Sequence, residues 1–480
     1  MKTQKPSDQH RYRNSAALLL AALACSGCAV GPDFQRPQAP AVNSYTRAPL
    51  PATMTSAAVK VDRQWWTAFG SPALNDLVEQ AFRHNPGIDS ARAALRQAQE
   101  STAAQWGSYF PTIQAGYAPS RQKNAVGTIS PTLTSGQPLY TLHTAQLSIS
   151  YAPDVFGLNR RTVESLAAQE ETQRFQLQAA YLTLASNVVA AAIQQAALGA
   201  QIHATEGVIA AAAKSLAALR HQAGLGFASE LDVATQEAAL AQAQQSLPPL
   251  SRQLEQTRNL LAVLTGSFPA QGGIDDIALD ALQLPAPLPL SLPSQLVQQR
   301  PDVRAAEAQM HAASAEVGVA TANRLPQISI SALYGGSATQ FSKMFSNDNK
   351  FWGLTGNITQ TVFDFGTLQH RQRAADAALE QANAQYRSVV LAAFQNVADT
   401  LYALDADART LSAAEATETA TRKTLDLTQK QLDLGFVNAL VLLNAEQAYQ
   451  QAKVARIQAI AMRYTDTAAM YQALGGGWEE

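Results

Sequence analysis

The chain has 480 residues, enough for several ordinary domains and a substantial core. Charged residues make up only 15% of it, well below the roughly 25% of an average soluble protein. The formal net charge is −2 with no basic block, which removes the electrostatic case for a nucleic-acid partner. Ala, Gln, Ser and Thr stand where charge is missing.

Lys2, Lys5, Arg11 and Arg13 form a positive start, and the apolar run Ala16 to Ala24 is too short to span a bilayer. Small residues Ser26 and Gly27 then precede Cys28. Residues 1–27 therefore read as a lipoprotein export signal cut before Cys28, whose thiol carries a covalent lipid. Cys25, standing where such signals usually have Leu, is the alternative site. The two cysteines also form a CxxC, but a redox or metal reading fails because export would remove Cys25. Ala29 follows, not the Asp that typically retains lipoproteins in the inner membrane. Residues 28–72 read as a lipid-anchored extended segment containing Trp65–Trp66. That pair suits packing or a membrane interface better than ligand stacking.

The interior is duplicated. An offset of 215 residues takes Pro86 to Pro301 and Pro111 to Pro326, within HNPGIDSARAALRQAQ/QRPDVRAAEAQMHAAS and YFPTI/RLPQI. An offset of 209 takes Gly157 to Gly366 and Leu225 to Leu434, within PDVFG/VFDFG and LGFASELDV/LGFVNALVL. The change of offset falls between strand-like segments, where loop lengths drift. Repeat one spans 73–266 and repeat two 294–474. The Pro-rich linker is 267–293, and 475–480 is a tail.

Each repeat predicts helix, strand, loop, strand, long helix, tip, long helix. Strands are expected near 111–118, 143–156, 327–334 and 351–363. Ile113, Ala115 and Tyr117 alternate with Thr112, Gln114 and Gly116; Ala145, Leu147, Ile149 and Tyr151 alternate with Thr144, Gln146, Ser148 and Ser150. A period of two makes one apolar and one polar face. The polar residues are uncharged hydroxyls and amides, which suit either a water-filled lumen or an ordinary exposed sheet. Gln122 to Leu139 and Gly335 to Asn349 have loop composition.

From Arg161 to Gln222 there is no proline, about 60 residues or ~90 Å of helix. Thr367 to Leu434 contains neither proline nor glycine. Such helices exceed the usual 10–14 residues several-fold. Their Ala-rich faces suit close packing, either in a bundle or in a wall of helices enclosing water. The tips fall near 225–232 and 434–441. Four strands cannot close a barrel, so strands in a membrane would need several chains. Three would supply about twelve.

CAVGPDFQRP at Cys28, QWWTAFGSPALNDLVEQA at Gln64, SLPSQLVQQRPDVRAAEAQM at Ser291, TVFDFG at Thr361 and MYQALGGGW at Met470 occur in order on this duplicated frame. The chain resembles the TolC-type outer-membrane efflux channels of the lipoprotein group that includes OprM and NodT. The resemblance implies mixed α and transmembrane β structure: a homotrimer with a 12-stranded β-barrel, four strands per chain, continued by a long periplasmic α-helical barrel. The N-terminal stretch, linker and C-terminus would form an equatorial belt. The implied function is the exit duct of a tripartite efflux pump, passing small toxic molecules outward. Implied partners are a periplasmic adaptor, a proton-driven inner-membrane pump and outer-membrane lipid. Adaptor contacts would fall on Leu225, Gly226, Phe227, Leu434, Gly435 and Phe436. The family narrows its closed pore with a Leu and, four residues on, an Asp. Leu440 and Asn444 hold those positions here, so the acid is missing. Asn444 is either a pore residue or packed beside a neighbouring helix, and Val441 is apolar where some relatives carry another acid. Glu230 and Asp232 at the first tip either restore negative charge or serve only as helix-start residues.

Competing classes fit less well. The seven histidines are scattered, with neither HExxH nor GxxxxGK[ST], so no enzyme, metal or cofactor is expected beyond the lipid on Cys28. A periplasmic adaptor would carry one helical hairpin inside a β domain. A channel for secreted proteins would share the frame, against which the lipoprotein start and LGGGW ending argue.

Overall fold

In this computed structural model the chain is described over residues 29–42, 44–47, 55–56, 61–123, 139–271, 276–285, 288–289 and 293–476. Cys25, Cys28 and the export signal lie outside the described residues. The elements are β1 (Thr55–Ser56), α1 (Pro72–His84), α2 (Pro86–Trp106), β2 (Thr112–Lys123), β3 (Leu139–Tyr151), α3 (Leu158–Gly224) and α4 (Glu230–Leu264). They continue with β4 (Leu288–Pro289), α5 (Pro293–Gln299), α6 (Pro301–Ala322), β5 (Gln327–Ala338), β6 (Lys350–Thr359), α7 (Thr367–Asp433) and α8 (Ala439–Ala473). The order α2-β2-β3-α3-α4 recurs as α6-β5-β6-α7-α8. Helices α3 and α7 have 67 residues each, α4 and α8 35 each.

Local chemistry sets the ends. Pro86 and Pro301 open α2 and α6, where a missing N–H costs nothing. Strand β3 ends at Tyr151, short of 156. Pro153 has no N–H, and Asp154 turns to the start of α3, accepting from the N–H groups of Asn159 (2.9 Å) and Arg160 (2.8 Å). Strand β6 stops at Thr359, short of 363, and Asp364 plays the same part for α7, accepting from Gly366 and Leu368. At the opposite end β2 reaches Lys123, β3 begins at Leu139 and β5 runs to Ala338. There the hydrophobic alternation fades into charged and hydroxyl residues while the ladder continues.

Two compact units divide the described chain. The first contains a four-stranded antiparallel sheet in the order β2-β3-β5-β6, leaving β2 and β6 as edges. A segment just past Cys28 is strapped onto its helices. The buried Arg161 guanidinium donates to Val30 O (3.1 Å) and Gly31 O (3.3 Å) and pairs with Asp33 and Glu164, each at 2.7 Å. Glu164 also meets His311 Nε2 at 3.0 Å, and Phe34 stacks on the His311 ring at 4.3 Å. Gly31 lies so close to Gly318 that a Cβ there would come within 2.4 Å of the Gly318 Cα.

The second unit has an aromatic and aliphatic core. Trp65 stacks on Tyr471 (5.3 Å), Trp66 meets Phe82 edge-on (5.4 Å), and Phe82 meets Tyr181 in the same way (5.0 Å). Both tryptophans are buried, so packing is their role within the protomer. Val188, Val189, Ala192, Ile193, Ala197 and Leu198 on α3 are buried too. A window of α3 is apolar enough to cross a bilayer, but most of it is buried, the mark of a core helix.

Asp407 on α7 adjoins Asp466 on α8. Its Oδ2 is buried and finds no donor, since an ionised neighbour only accepts. Desolvation, then the hydrogen bond to and charge of Asp466, push Asp407 up to about 6 against a partial offset from Arg463. The pair is satisfied when it shares one proton. The native state thus binds more protons than the unfolded chain between the usual carboxylate range and about 6, and stability falls as pH rises through that window. Asp407→Asn should raise the melting temperature near neutral pH and flatten its decline from acid to neutral. An unchanged decline in the variant would show that the pair does not carry it.

Candidate functional site

Directly paired residues on neighbouring strands share a face of the sheet, so the register sorts every strand residue. On one face, counting outward from the helical end, the rungs are Ile328 and Ile358; Tyr151, Ile330 and Gly356; then Ile113, Ile149, Ala332 and Leu354. Ala115, Leu147, Tyr334 and Trp352 follow, then Tyr117, Ala145, Gly336 and Lys350. This is an apolar band ending in aromatics, with Lys350 beside Tyr117 on the outermost of these rungs. Its large side chains stand exposed in the protomer: Leu354 is 69% exposed and Ile358 70%. Exposed apolar surface of that extent requires a cover.

The other face carries Thr112, Ser150, Ser331 and Thr355 on one rung and Gln114, Ser148, Leu333 and Gly353 on the next. Thr144 and Ser337, directly paired, hydrogen-bond at 3.0 Å. No charged residue lies on this face. Such a wall hydrates readily and offers no fixed charge to a passing solute.

The two tips are built alike. At the first, Gly226 takes φ +81°, its N–H donates to Ala223 O and the Phe227 N–H to Gln222 O, both at 2.9 Å. At the second, Gly435 takes φ +77° with Gly435 N–H to Leu432 O and Phe436 N–H to Gln431 O, again 2.9 Å. This is the double bond of a Schellman stop, and the left-handed conformation is why glycine stands there. Leu225, Phe227, Leu434 and Phe436 are exposed, Phe227 at 82%.

The helices that follow start differently. Ser229 and Asp232 make a reciprocal capping box, and the Ser229 hydrogen bonds hold the Asp232 carboxyl below its usual range. Asp232 is thus a helix-start residue; Glu230 lies beside it in the first turn. At the second tip Asn438 alone caps, accepting from Val441 N–H at 3.2 Å. Leu440, Val441 and Asn444 are exposed within the protomer, whereas Leu442, Leu443 and Ala445 are buried. Leu440 and Asn444 lie one turn apart on that exposed face.

Sequence reasoning missed the strap to Arg161, since nothing local links Asp33 to a residue far along the chain. It also missed the outer ends of β2, β3 and β5, where Arg121 and Lys123 continue the alternation without being hydrophobic.

The profile of the outer membrane efflux protein family matches residues 77–267 and 292–476. The chain is 31% identical to the pyoverdine export outer membrane protein OpmQ of Pseudomonas putida over 431 residues, 89% of this chain and 91% of that protein. It is 28% identical to the probable efflux pump outer membrane protein TtgC of Pseudomonas putida over 470 residues, 97% and 96% of the two chains. Among solved structures, the outer-membrane channel OprN superposes with a TM-score of 0.86 at 29% identity, covering 94% of this chain and all of that one. Campylobacter jejuni CmeC gives the same TM-score at 20% identity over 94% of this chain and 96% of that one, a likeness of fold. The expected fold class is the fold of these trimeric channels: mixed α and transmembrane β on a duplicated frame, four strands per chain contributed to a β-barrel, and long helices to a periplasmic tunnel. The chain belongs to the outer membrane efflux protein family and is an outer-membrane exit duct for efflux.

Proposed function

We propose that three copies close one 12-stranded barrel by pairing β6 of each with β2 of the next. The duct then passes small toxic organic molecules passively from a periplasmic adaptor and a proton-driven inner-membrane pump to the exterior. The observation that carries this reading is a sheet with two unpaired edges and one face that is apolar from its helical end to the rung of Leu147 and Trp352. Open edges are untenable in lipid, and closure with copies of itself satisfies them. Relatives named for pyoverdine, toluene and antibiotic efflux support small organic cargo.

The faces test the barrel. Leu147→Arg or Ile149→Arg puts a charge on the apolar face and should cost roughly 2–4 kcal/mol near mid-bilayer, seen as lost trimer in detergent gels. Gln146→Arg or Ser148→Arg, on the uncharged face, should assemble and shift ion selectivity. Equal loss of trimer from both sets would defeat the assignment.

Around a threefold axis, Leu440 would form an apolar constriction and Asn444 a ring of amides where relatives set three carboxylates. The closed state would then rest on Leu440 and hydrogen bonds, with little affinity for cations. In planar bilayers Leu440→Ala should leak, and Asn444→Asp should raise cation preference and divalent block; no change from either would remove both from the pore. Leu225, Gly226, Phe227, Leu434, Gly435 and Phe436 are read as the adaptor contact. Phe227→Ser combined with Phe436→Ser should therefore spare conductance and abolish resistance in cells.

Lipidation of Cys28 completes the proposal, supported by the signal-like start and by the strap that ties Val30 to Asp33 onto Arg161. Palmitate labelling should vanish in Cys28→Ser while trimers still form. Labelling that persists there and disappears in Cys25→Ser would move the anchor.

A further inference from the structure

Every charged residue of the sheet lies on its apolar face. In the register, Pro119 pairs with His143, Arg121 with Thr141 and Lys123 with Leu139, continuing outward from the rung of Tyr117 and Lys350. The face therefore reads apolar, aromatic, then basic from the helical end outward. The opposite face carries no charge along its whole length.

The connection between β5 and β6 lies over the same face. Phe341 meets Tyr117 and His143 edge-on at 5.9 and 6.0 Å, both rings belonging to the apolar side. The Met344 carbonyl crowds Gly336 so closely that a Cβ there would come within 2.1 Å of it, and Met344 is buried. Single helical turns at Phe341–Lys343 and Asn347–Asn349 order the connection, joined by Asn349 Nδ2 donating to Lys343 O (2.8 Å) and Ser346 Oγ (2.9 Å). Lys343 and Lys350 are thereby held beside the exposed rings of Phe341 and Phe345.

The charge here is one-sided. Residues 119–143 and 335–352 contain Arg121, Lys123, Lys343 and Lys350 against a single acid, Asp348, in a chain whose net charge is −2. Arg121, Lys123 and Lys343 have no carboxylate partner among the described residues, and Lys350 Nζ donates to Asn347 Oδ1 at 3.3 Å. A basic rim serving cargo would line the uncharged face. This one borders the lipid face at the end away from the periplasmic helices, where the outer leaflet begins.

We propose that Arg121, Lys123, Lys343 and Lys350, with Phe341 and Phe345, bind the phosphorylated glycolipid of the outer leaflet. The cations meet its sugar phosphates and the two aromatics meet its acyl chains. The reading rests on the apolar face being the lipid face. Closing the barrel would also bring β2 of one copy beside β6 of the next, adding Lys350 of one protomer to the Arg121 and Lys123 of its neighbour.

The test is binding of bisphosphorylated lipid A to the assembled full-length channel in neutral detergent, read by native mass spectrometry beside conductance of the same preparation. Binding should weaken about tenfold in Arg121→Gln/Lys123→Gln/Lys343→Gln/Lys350→Gln, and by a similar factor for dephosphorylated lipid A. Raised salt should weaken it too. Conductance of the variant should be unchanged. If the fourfold variant does not assemble, Lys343→Gln/Lys350→Gln should still lose about threefold. Equal binding by variant and parent, or phosphatidylglycerol binding as tightly as lipid A, would overturn the site. Loss of conductance in the parent would instead count against the barrel.

Discussion

The backbone N–H and C=O groups along the outer edges of β2 and β6 point away from their own sheet. In water such groups are satisfied by solvent, but in a bilayer each costs several kcal/mol if left alone. A sheet of four strands cannot curl far enough to join its own edges, so the debt is discharged only between chains. Much of the architecture follows from that necessity. A closed ring of strands has an inside, the alternation of side chains gives the inside its polarity, and the repeat supplies each chain with two like hairpins of strands.

Low charge runs through both units, with different consequences. On the uncharged face of the sheet it means that a cationic, anionic or neutral solute meets the same hydroxyls and amides, so this wall does not sort solutes by charge. On the helices it permits close approach: from Ala191 to Leu198 every residue of α3 but Gln194 is buried, because little side chain must be accommodated. Where charge is kept it performs specific work. Arg161 ties down the segment from Val30 to Asp33, and Asp407 with Asp466 makes an acid pair that is comfortable only with a proton between them.

Much of this was legible in the chain itself. Constant offsets exposed the duplication, period-two alternation marked Ile113 to Tyr117 and Ala145 to Tyr151, and the absence of proline and glycine announced α7. The tips were visible because LGF repeats and only glycine fits a left-handed stop. What was hidden depends on partners far apart in sequence. No local pattern says that Asp33 meets Arg161, that Asp407 meets Asp466, or that Trp65 stacks on Tyr471. Strand ends were misjudged for a related reason: alternation is read from hydrophobicity, and Arg121 and Lys123 keep the geometry while breaking the pattern.

The two tips share a stop but not a brace. The first hairpin is clamped by Arg220 to Glu237 at 2.6 Å, about two turns from Gly226. Gln236 Nε2 donating to Ala212 O at 3.2 Å and a cluster of Leu216, Leu219 and Val233 add to the clamp. In the second, among the described residues, the ion pair joining its helices is Arg456 to Glu418, about five turns back from Gly435, and nearer the tip Leu442, Leu443 and Ala445 are buried. An ion pair and a directed hydrogen bond fix how two helices register, whereas buried apolar side chains hold them together without direction. Duplication thus left one chain with two hairpins of the same pattern, one pinned in register near its tip, and Leu440 rides on the one held there by apolar burial.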